Sequence, residues 1–345
     1  MMNENKARDK AVTIGMHSMF GFFAFRFSFI IHRSAFIVVF FAVTVGICEP
    51  SESSGAVCEV TSGPRFNLTF PTLGGFQFWG DERVYCGWRI QRNAFTGHYR
   101  LIDPRHIRRA WGSYEECEKV FRSLVDMSKV RPRSDEYVIL LHGLFRTRRS
   151  FRGLERYLTE QGYEVVAVEY PSTRAAVEKQ AAQLARLIER LEGARRIHFV
   201  THSLGGLVVR CYMRDHQDER IGRLVMIAPP NRGAYMASKL ADWGIFRIVA
   251  GPVIRQLVGG SEGLVASLPE PRCEFGVIAG GRGDARGYSP FFPGDDDGVV
   301  MVRETHLDGM RDFLLVPAIH TFIMNDERVK QAVAQFLRTG RFRAG

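Results

Sequence analysis

The sequence predicts an α/β protein, a mostly parallel sheet covered by helices on both faces and preceded by a small N-terminal extension. Three observations carry that expectation. From residue 136 onward, apolar runs of strand length alternate with amphipathic stretches of helix length. The runs lack the in-out alternation of a half-exposed strand. A glycine closes two of the amphipathic stretches.

The elements follow in order. "YVILL" (137–141) is apolar throughout, as a strand buried on both faces must be. "SFRGLERYLTEQGY" then sets Phe151, Leu154 and Leu158 on one helical face and stops at Gly162. "EVVAVEY" is a second buried strand. In "TRAAVEKQAAQLARLIERLEG", Val177, Ala181, Leu184, Ile188 and Leu191 recur at spacings of four and three, and Gly193 closes that helix. "RRIHFVTHS" is a strand, "LGGLVVRCYMRDH" a helix and "RLVMIAPP" a strand. "EFGVIAG" and "FLLVPAI" are further strands, and "DERVKQAVAQFL" is a closing helix.

Composition bounds the rest. With 46% hydrophobic and 24% charged residues, the 345-residue chain reads as globular. Its net charge of +10 is dispersed, and no zinc-finger or recognition-helix pattern turns that charge into nucleic-acid readout. Six cysteines without metal-type spacing argue against a zinc site. No phosphate-cradling glycine loop appears either, so no cofactor and no metal are expected.

Residues 1–50 stand apart. The apolar runs 19–31 and 34–48 flank His32 and Arg33, which fits an export signal or a retained membrane anchor and so an exported or membrane-anchored protein. Ile47 before Cys48 argues against a lipoprotein site, and cleavage versus retention stays open. Export would permit a disulfide. Cys86 with Cys117 is one pairing, which spacing alone does not fix. Residues 51–130 read as a Ser/Gly/Glu-rich linker followed by short mixed segments and an amphipathic stretch, an extension packed against the domain at 131–345.

Chemistry concentrates around "FVTHSLGG" (199–206). Ser203 falls where an apolar strand must turn sharply into a helix, the setting of a nucleophile elbow, G-x-S-x-G. Gly205 supplies the second glycine, and Thr201 departs from the first. A nucleophilic serine needs a base, an orienting carboxylate and oxyanion donors. "LLHGLFRT" supplies a loop just beyond a buried strand, where the backbone amide of Leu144 joins that of Leu204 as a candidate donor pair. Among ten histidines, His320 follows an apolar strand and precedes the last helix; His306 is the rival. "PGDDDGVV" offers Asp297, directly before Gly298, with its neighbours Asp295 and Asp296 expected to stay solvated. Asp284 is a second candidate acid, and the three-Asp run also suits a calcium loop.

In the order "LLHGLF", "VTHSLGG", "APPNRG", "DDDGVV", "IHTFIM", residues 136–340 resemble the α/β-hydrolase superfamily, and within it the bacterial lipases and esterases. The resemblance implies Ser203 as nucleophile, His320 as general base, Asp297 as its orienter, and Leu144 and Leu204 as oxyanion donors. It also implies acyl transfer through an acyl-enzyme, with a small-molecule or lipid ester as substrate. Residues 235–265 would form a small helical cap lining an acyl pocket, although core packing accounts for the same apolar residues. The alternatives are an acyltransferase using the same triad and a non-catalytic hydrolase-like binding protein. Membrane association would come through the N-terminus, and no nucleic-acid partner is expected.

Overall fold

The structure, a computed structural model, describes residues 70–71, 77–240, 251–258 and 263–343. The signal or anchor at 1–50, the linker up to residue 69 and cap residues 241–250 and 259–262 lie outside the described residues.

The chain first builds an antiparallel sheet from β1 (Phe70–Pro71), β2 (Trp79–Tyr85), β3 (Trp88–Asn93), β4 (Tyr99–Ile102) and β5 (Ile107–Gly112), in the order β1-β5-β4-β3-β2. Cys86 and Gly87 join β2 to β3 with φ of 46° and 83°, the pair of left-handed residues that a tight hairpin needs. Helix α1 (Tyr114–Leu124) follows. Its start is fixed by a capping box in which Ser113 accepts from the Glu116 amide and the Glu116 carboxylate accepts from the Ser113 amide. Its buried Cys117 and Phe121 close a core with Tyr85, Ile90, Leu101 and Ala110. Cys86 packs against that core, yet Cys86 and Cys117 are both free thiols, which corrects the disulfide pairing.

The remainder is a six-stranded parallel sheet. Its elements in chain order are β6 (Glu136–Leu141), α2 (Arg152–Glu160), β7 (Glu164–Val168), α3 (Val177–Glu189), β8 (Arg196–His202), α4 (Leu204–Asp215) and β9 (Ile221–Ile227). Three short helices follow, α5 (Tyr235–Leu240), α6 (Val253–Gln256) and α7 (Leu264–Ser267), and then β10 (Phe275–Gly280), α8 (Val302–Thr305), β11 (Asp312–Val316) and α9 (Glu327–Thr339). The strand order is β11-β10-β9-β8-β6-β7.

Strand β6 shows why such runs must be apolar throughout. Tyr137, Ile139 and Leu141 enter the core beneath α3 and α4, whereas Val138 and Leu140 enter the opposite core with Leu154 and Leu158 of α2 and Val333 and Phe336 of α9. Each fully buried aliphatic side chain contributes about 1.5–3 kcal/mol, so a polar residue on either face would weaken a whole layer. In the cap region, Val253 and Ile254 are buried in the core that also holds Leu204 and Leu207, which is plain core packing for those two residues.

The antiparallel sheet meets the parallel one beyond β7. The Asp81 amide donates to the Glu169 carbonyl at 2.8 Å, and the Glu169 amide donates back to Asp81 Oδ2 at 2.7 Å. Gln183 of α3 reaches both carbonyl oxygens, that of Asp81 at 3.0 Å and that of Glu169 at 3.1 Å. Among the described residues, no helix is long and apolar enough to cross a membrane.

Candidate active site

Ser203 occupies the single residue between β8 and α4, with φ 52° and ψ −121°. A non-glycine residue held there costs on the order of 1–3 kcal/mol and persists only where surrounding structure enforces it. Two contacts do so. The Ser203 amide donates to the Ile227 carbonyl at 2.9 Å, and Gly205 lets α4 pass so close to β6 that a Cβ at position 205 would collide with the Leu141 carbonyl oxygen. Thr201, the departure from the glycine pattern, is an ordinary buried strand residue one position before the end of β8, paired with Leu141 on one side and Met226 on the other. The strained turn needs a small residue at 205 more than at 201.

Asp297 and His320 are brought together by loops that follow β10 and β11. Asp297 Oδ2 accepts from His320 Nδ1 at 2.7 Å. Its Oδ1 accepts the Val299 amide at 3.0 Å and the Val300 amide at 2.8 Å, so the carboxylate is held by three donors while 1% exposed. With Nδ1–H committed to the carboxylate, His320 presents Nε2 as a lone pair. No hydrogen bond between Ser203 and His320 forms in this structure. What ties the two together is His202, next to the serine. Its Nε2–H donates to the His320 carbonyl at 3.0 Å, and the two imidazole rings lie 4.6 Å apart. Burial, and secondarily the neighbouring His320 imidazole, holds the His202 imidazole well below its usual range, so it serves as a neutral strut.

The rival residues lie elsewhere. Asp284 is exposed and accepts the amides of Arg286 and Gly287 at 2.9 and 3.0 Å. His306 points Nδ1 at the Val302 carbonyl, 3.1 Å away, and stacks on Phe313. The expectation that both neighbours of Asp297 stay solvated is corrected for Asp296, which is fully buried and accepts the amides of Ser289 at 3.0 Å and Gly298 at 2.6 Å. Asp295 accepts those of Arg282 and Gly283 at 2.8 and 2.9 Å. The three carboxylates thus diverge, each pinning a different stretch of loop. Among the described residues no group of three or more His, Cys, Asp or Glu is placed to hold a metal ion.

Gly143 brings the β6 loop against the elbow, where a Cβ would lie 2.9 Å from His202 Nδ1 and 3.1 Å from Ser203 Cβ. The two candidate donors adjoin this contact along the chain: Leu144 follows Gly143 in that loop, and Leu204 follows Ser203 as the first residue of α4, where a helix leaves its amides unsatisfied. Arg146 fixes the loop from its far end. Its backbone amide donates to the Gly143 carbonyl at 3.2 Å, and its guanidinium donates to the Thr321 carbonyl beside His320. The arginine therefore braces the site rather than standing as a solvated cation.

Sequence reasoning missed two residues. His202 reads as part of the elbow motif and gives no sign that it holds His320. Glu169 ends an apolar strand as a charged residue would at a surface, yet it is buried beneath the β6 loop, 3.6 Å from His142.

Comparison with known proteins agrees with this architecture. The profile described as "Alpha/beta hydrolase family" matches residues 138–338, more than half of the chain. No curated protein matches the sequence. The lipase BlEst2 of Bacillus licheniformis is similar in its propeptide form at 16% identity over 62% of this chain and 52% of that one, with a TM-score of 0.50. Its mature form gives 16% identity over 59% of this chain and 91% of that one, with a TM-score of 0.48. Phospholipase PlaB of Legionella pneumophila is similar at 19% identity over 61% and 58%, with a TM-score of 0.46. The strand order, the elbow between β8 and α4, and the family match over residues 138–338 lead to one conclusion: the chain has the alpha/beta hydrolase fold and belongs to the alpha/beta hydrolase family.

Proposed function

We propose that the chain is a serine hydrolase that cleaves carboxylic esters through an acyl-enzyme on Ser203. The observation that carries this reading is the strained backbone of Ser203 at φ 52°, which projects a hydroxyl from the sheet edge where a buried Asp297–His320 pair also ends. His320 Nε2 takes the Ser203 proton as Oγ attacks the ester carbonyl. The resulting oxyanion accepts from the Leu144 and Leu204 amides. Collapse expels the alcohol, which takes the proton from His320. Water, activated by the same nitrogen, then releases the acid and restores Ser203. Asp297 holds the Nδ1–H tautomer and stabilises the imidazolium.

An apolar substrate fits the rim. Phe322 is 61% exposed and Ile319 38% exposed on either side of His320, and Val299 is exposed beside Asp297. Such side chains offer an acyl chain a partly dehydrated approach.

The test is labelling of the full chain with a fluorophosphonate, together with hydrolysis of p-nitrophenyl esters of increasing chain length. Labelling and turnover that vanish in Ser203→Ala are expected. A well-folded wild-type chain that neither labels nor turns over would overturn the proposal. Acyl transfer to added alcohols in preference to water would redirect it to an acyltransferase.

A further inference from the structure

We infer that Glu169 and His142 are positioning residues for the oxyanion donor of Leu144, joined by a proton on Glu169 Oε1 that bridges to His142 Nε2. The inference rests on the proposed serine chemistry and deepens it.

The geometry starts with His142, fully buried at the end of β6 and stacked on Tyr170 with ring centroids 4.2 Å apart. Its Nδ1 lies 3.0 Å from the Gly143 carbonyl oxygen. A carbonyl only accepts, so Nδ1 carries the hydrogen. Burial pushes the imidazole down to about 4, which keeps the ring neutral near pH 7 and leaves Nε2 a bare acceptor. That nitrogen has no hydrogen-bond partner among the described residues. Neither has Glu169 Oε1, which faces it at 3.6 Å.

Two buried acceptors left face to face are each unsatisfied and destabilising. One proton removes both deficits. The groups packed around Glu169 favour keeping that proton on the carboxyl. Burial, and then the Asp81 carboxylate from β2, push its acid up to about 8, while Arg148 from the turn before α2 and Arg89 from β3 oppose the shift. Arg100 of β4 also faces the carboxylate charge, and the Arg148 amide, which donates to Oε2 at 3.4 Å, opposes the shift as well; Tyr170 and Gln183 are uncharged, and the Tyr170 hydroxyl is spent on the His142 carbonyl. A turn of the carboxyl closes the 3.6 Å gap to the ~2.7–3.0 Å of a hydrogen bond.

The consequence reaches the reaction because the Gly143 carbonyl and the Leu144 N–H belong to one planar peptide, pointing in opposite directions. Holding the oxygen through His142 Nδ1–H fixes where the N–H aims. A displacement of about 1 Å at such a donor can cost on the order of 10² in rate. The antiparallel sheet anchors the far end of this chain, because Asp81 grips both the amide and the carbonyl of Glu169.

The experiment compares the wild-type chain with Glu169→Gln and Glu169→Leu in ester hydrolysis from pH 6 to 10. Expected is a 10- to 100-fold loss of kcat in Glu169→Leu with KM within about twofold, because the fault lies in transition-state stabilisation. Glu169→Gln, whose amide still donates to Nε2, should stay within about threefold of wild type at neutral pH. Wild-type kcat should fall as pH rises through the titration of Glu169, and Glu169→Gln should lack that decline. Equal damage in both variants, or the same alkaline decline in wild type and Glu169→Gln, would overturn the inference.

¹⁵N-histidine NMR, assigned with His142→Asn, reads the bridge independently of turnover. A hydrogen-bonded Nε2 in wild type and Glu169→Gln and a free one in Glu169→Leu are expected, and a free Nε2 in wild type overturns the bridge. If Glu169→Leu does not fold, the wild-type and Glu169→Gln comparison decides alone. If the wild-type chain neither labels nor turns over, the serine chemistry has failed and the NMR result still decides the proton bridge.

Discussion

Asp297 holds His320 twice, by side chain and by main chain: the carboxylate accepts from Nδ1 at 2.7 Å and the Asp297 carbonyl accepts from the His320 amide at 2.8 Å. The imidazole therefore cannot translate without carrying the loop of its acid with it, which keeps the ring in one tautomer and one place.

Asp297→Asn should separate the two holds. The main-chain bond and the Oδ1 contacts to Val299 and Val300 persist, so the fold is expected to survive with its unfolding midpoint little changed. An amide NH₂ facing Nδ1 reverses the tautomer, however, and leaves no lone pair at Nε2. In the proposed reaction kcat should fall by about 10⁴ at nearly constant KM. A loss below tenfold would mean that this pair does not orient the base.

Much of this site was legible in the sequence because its parts lie at the ends of apolar strands. The spacing of "VTHSLGG" forces a turn at Ser203, and "FLLVPAI" delivers His320 to the same edge of the sheet. The residues beneath the site were not legible. Asp81, Arg89, Gln91 and Arg100 are buried charged or polar side chains that satisfy one another across β2, β3 and β4, so their strands never show the apolar pattern that announces burial. Glu169 was hidden for the same reason. Asp296 was misread because a run of three acids suggests solvent, whereas each carboxylate here replaces water with backbone amides.

Gly205→Ala tests the close approach behind the elbow. Alanine is favoured over glycine by about 1 kcal/mol inside a helix, so an unconstrained site would gain stability. Here the added carbon meets a backbone oxygen of Leu141, which cannot rotate aside, and α4 or β6 must shift. A loss of about 1–3 kcal/mol in urea unfolding is expected, with Ser203 reactivity falling as the turn relaxes. Gly153→Ala in α2 is the contrast: its Cβ would meet the flexible end of Lys330 at 3.3 Å, and it should be neutral or stabilising by up to about 1 kcal/mol. The same sign for both would sink the argument.

Asp81→Ala should be the most damaging change in the antiparallel sheet. It leaves the buried Arg89 guanidinium without its anion and frees the Glu169 amide, at a cost of about 3–5 kcal/mol. Asp81→Asn keeps an acceptor for that amide and should cost less. Because the Asp81 charge helps raise the acid of Glu169, Asp81→Asn should also move any alkaline decline of kcat to lower pH. A decline that stays in place would show that Asp81 does not act on Glu169.

The stability of the fold should pass through a maximum with pH, and the two limbs have different owners. His142 and His198 are each pushed down to about 4 by burial, against 6.5 for a free imidazole. Between those values the unfolded chain binds protons that the folded chain refuses, so unfolding free energy falls as pH drops from about 6.5 toward 4. For His142 alone that interval is worth at most about 3 kcal/mol. Glu169 acts in the opposite sense. Its acid is raised from 4.5 to about 8, so the folded chain keeps a proton that the unfolded chain releases, and stability falls as pH rises through that window. Between about pH 6.5 and 8 the histidines no longer contribute, and the slope belongs to Glu169. Urea unfolding at pH steps from 5 to 9 should therefore show a decline above pH 6.5 in the wild-type chain that is absent in Glu169→Gln, while the acid limb remains in both and is steeper in Glu169→Gln, which lacks the opposing titration. If the alkaline limb persists in Glu169→Gln, the proton on this carboxyl is not what the folded state holds.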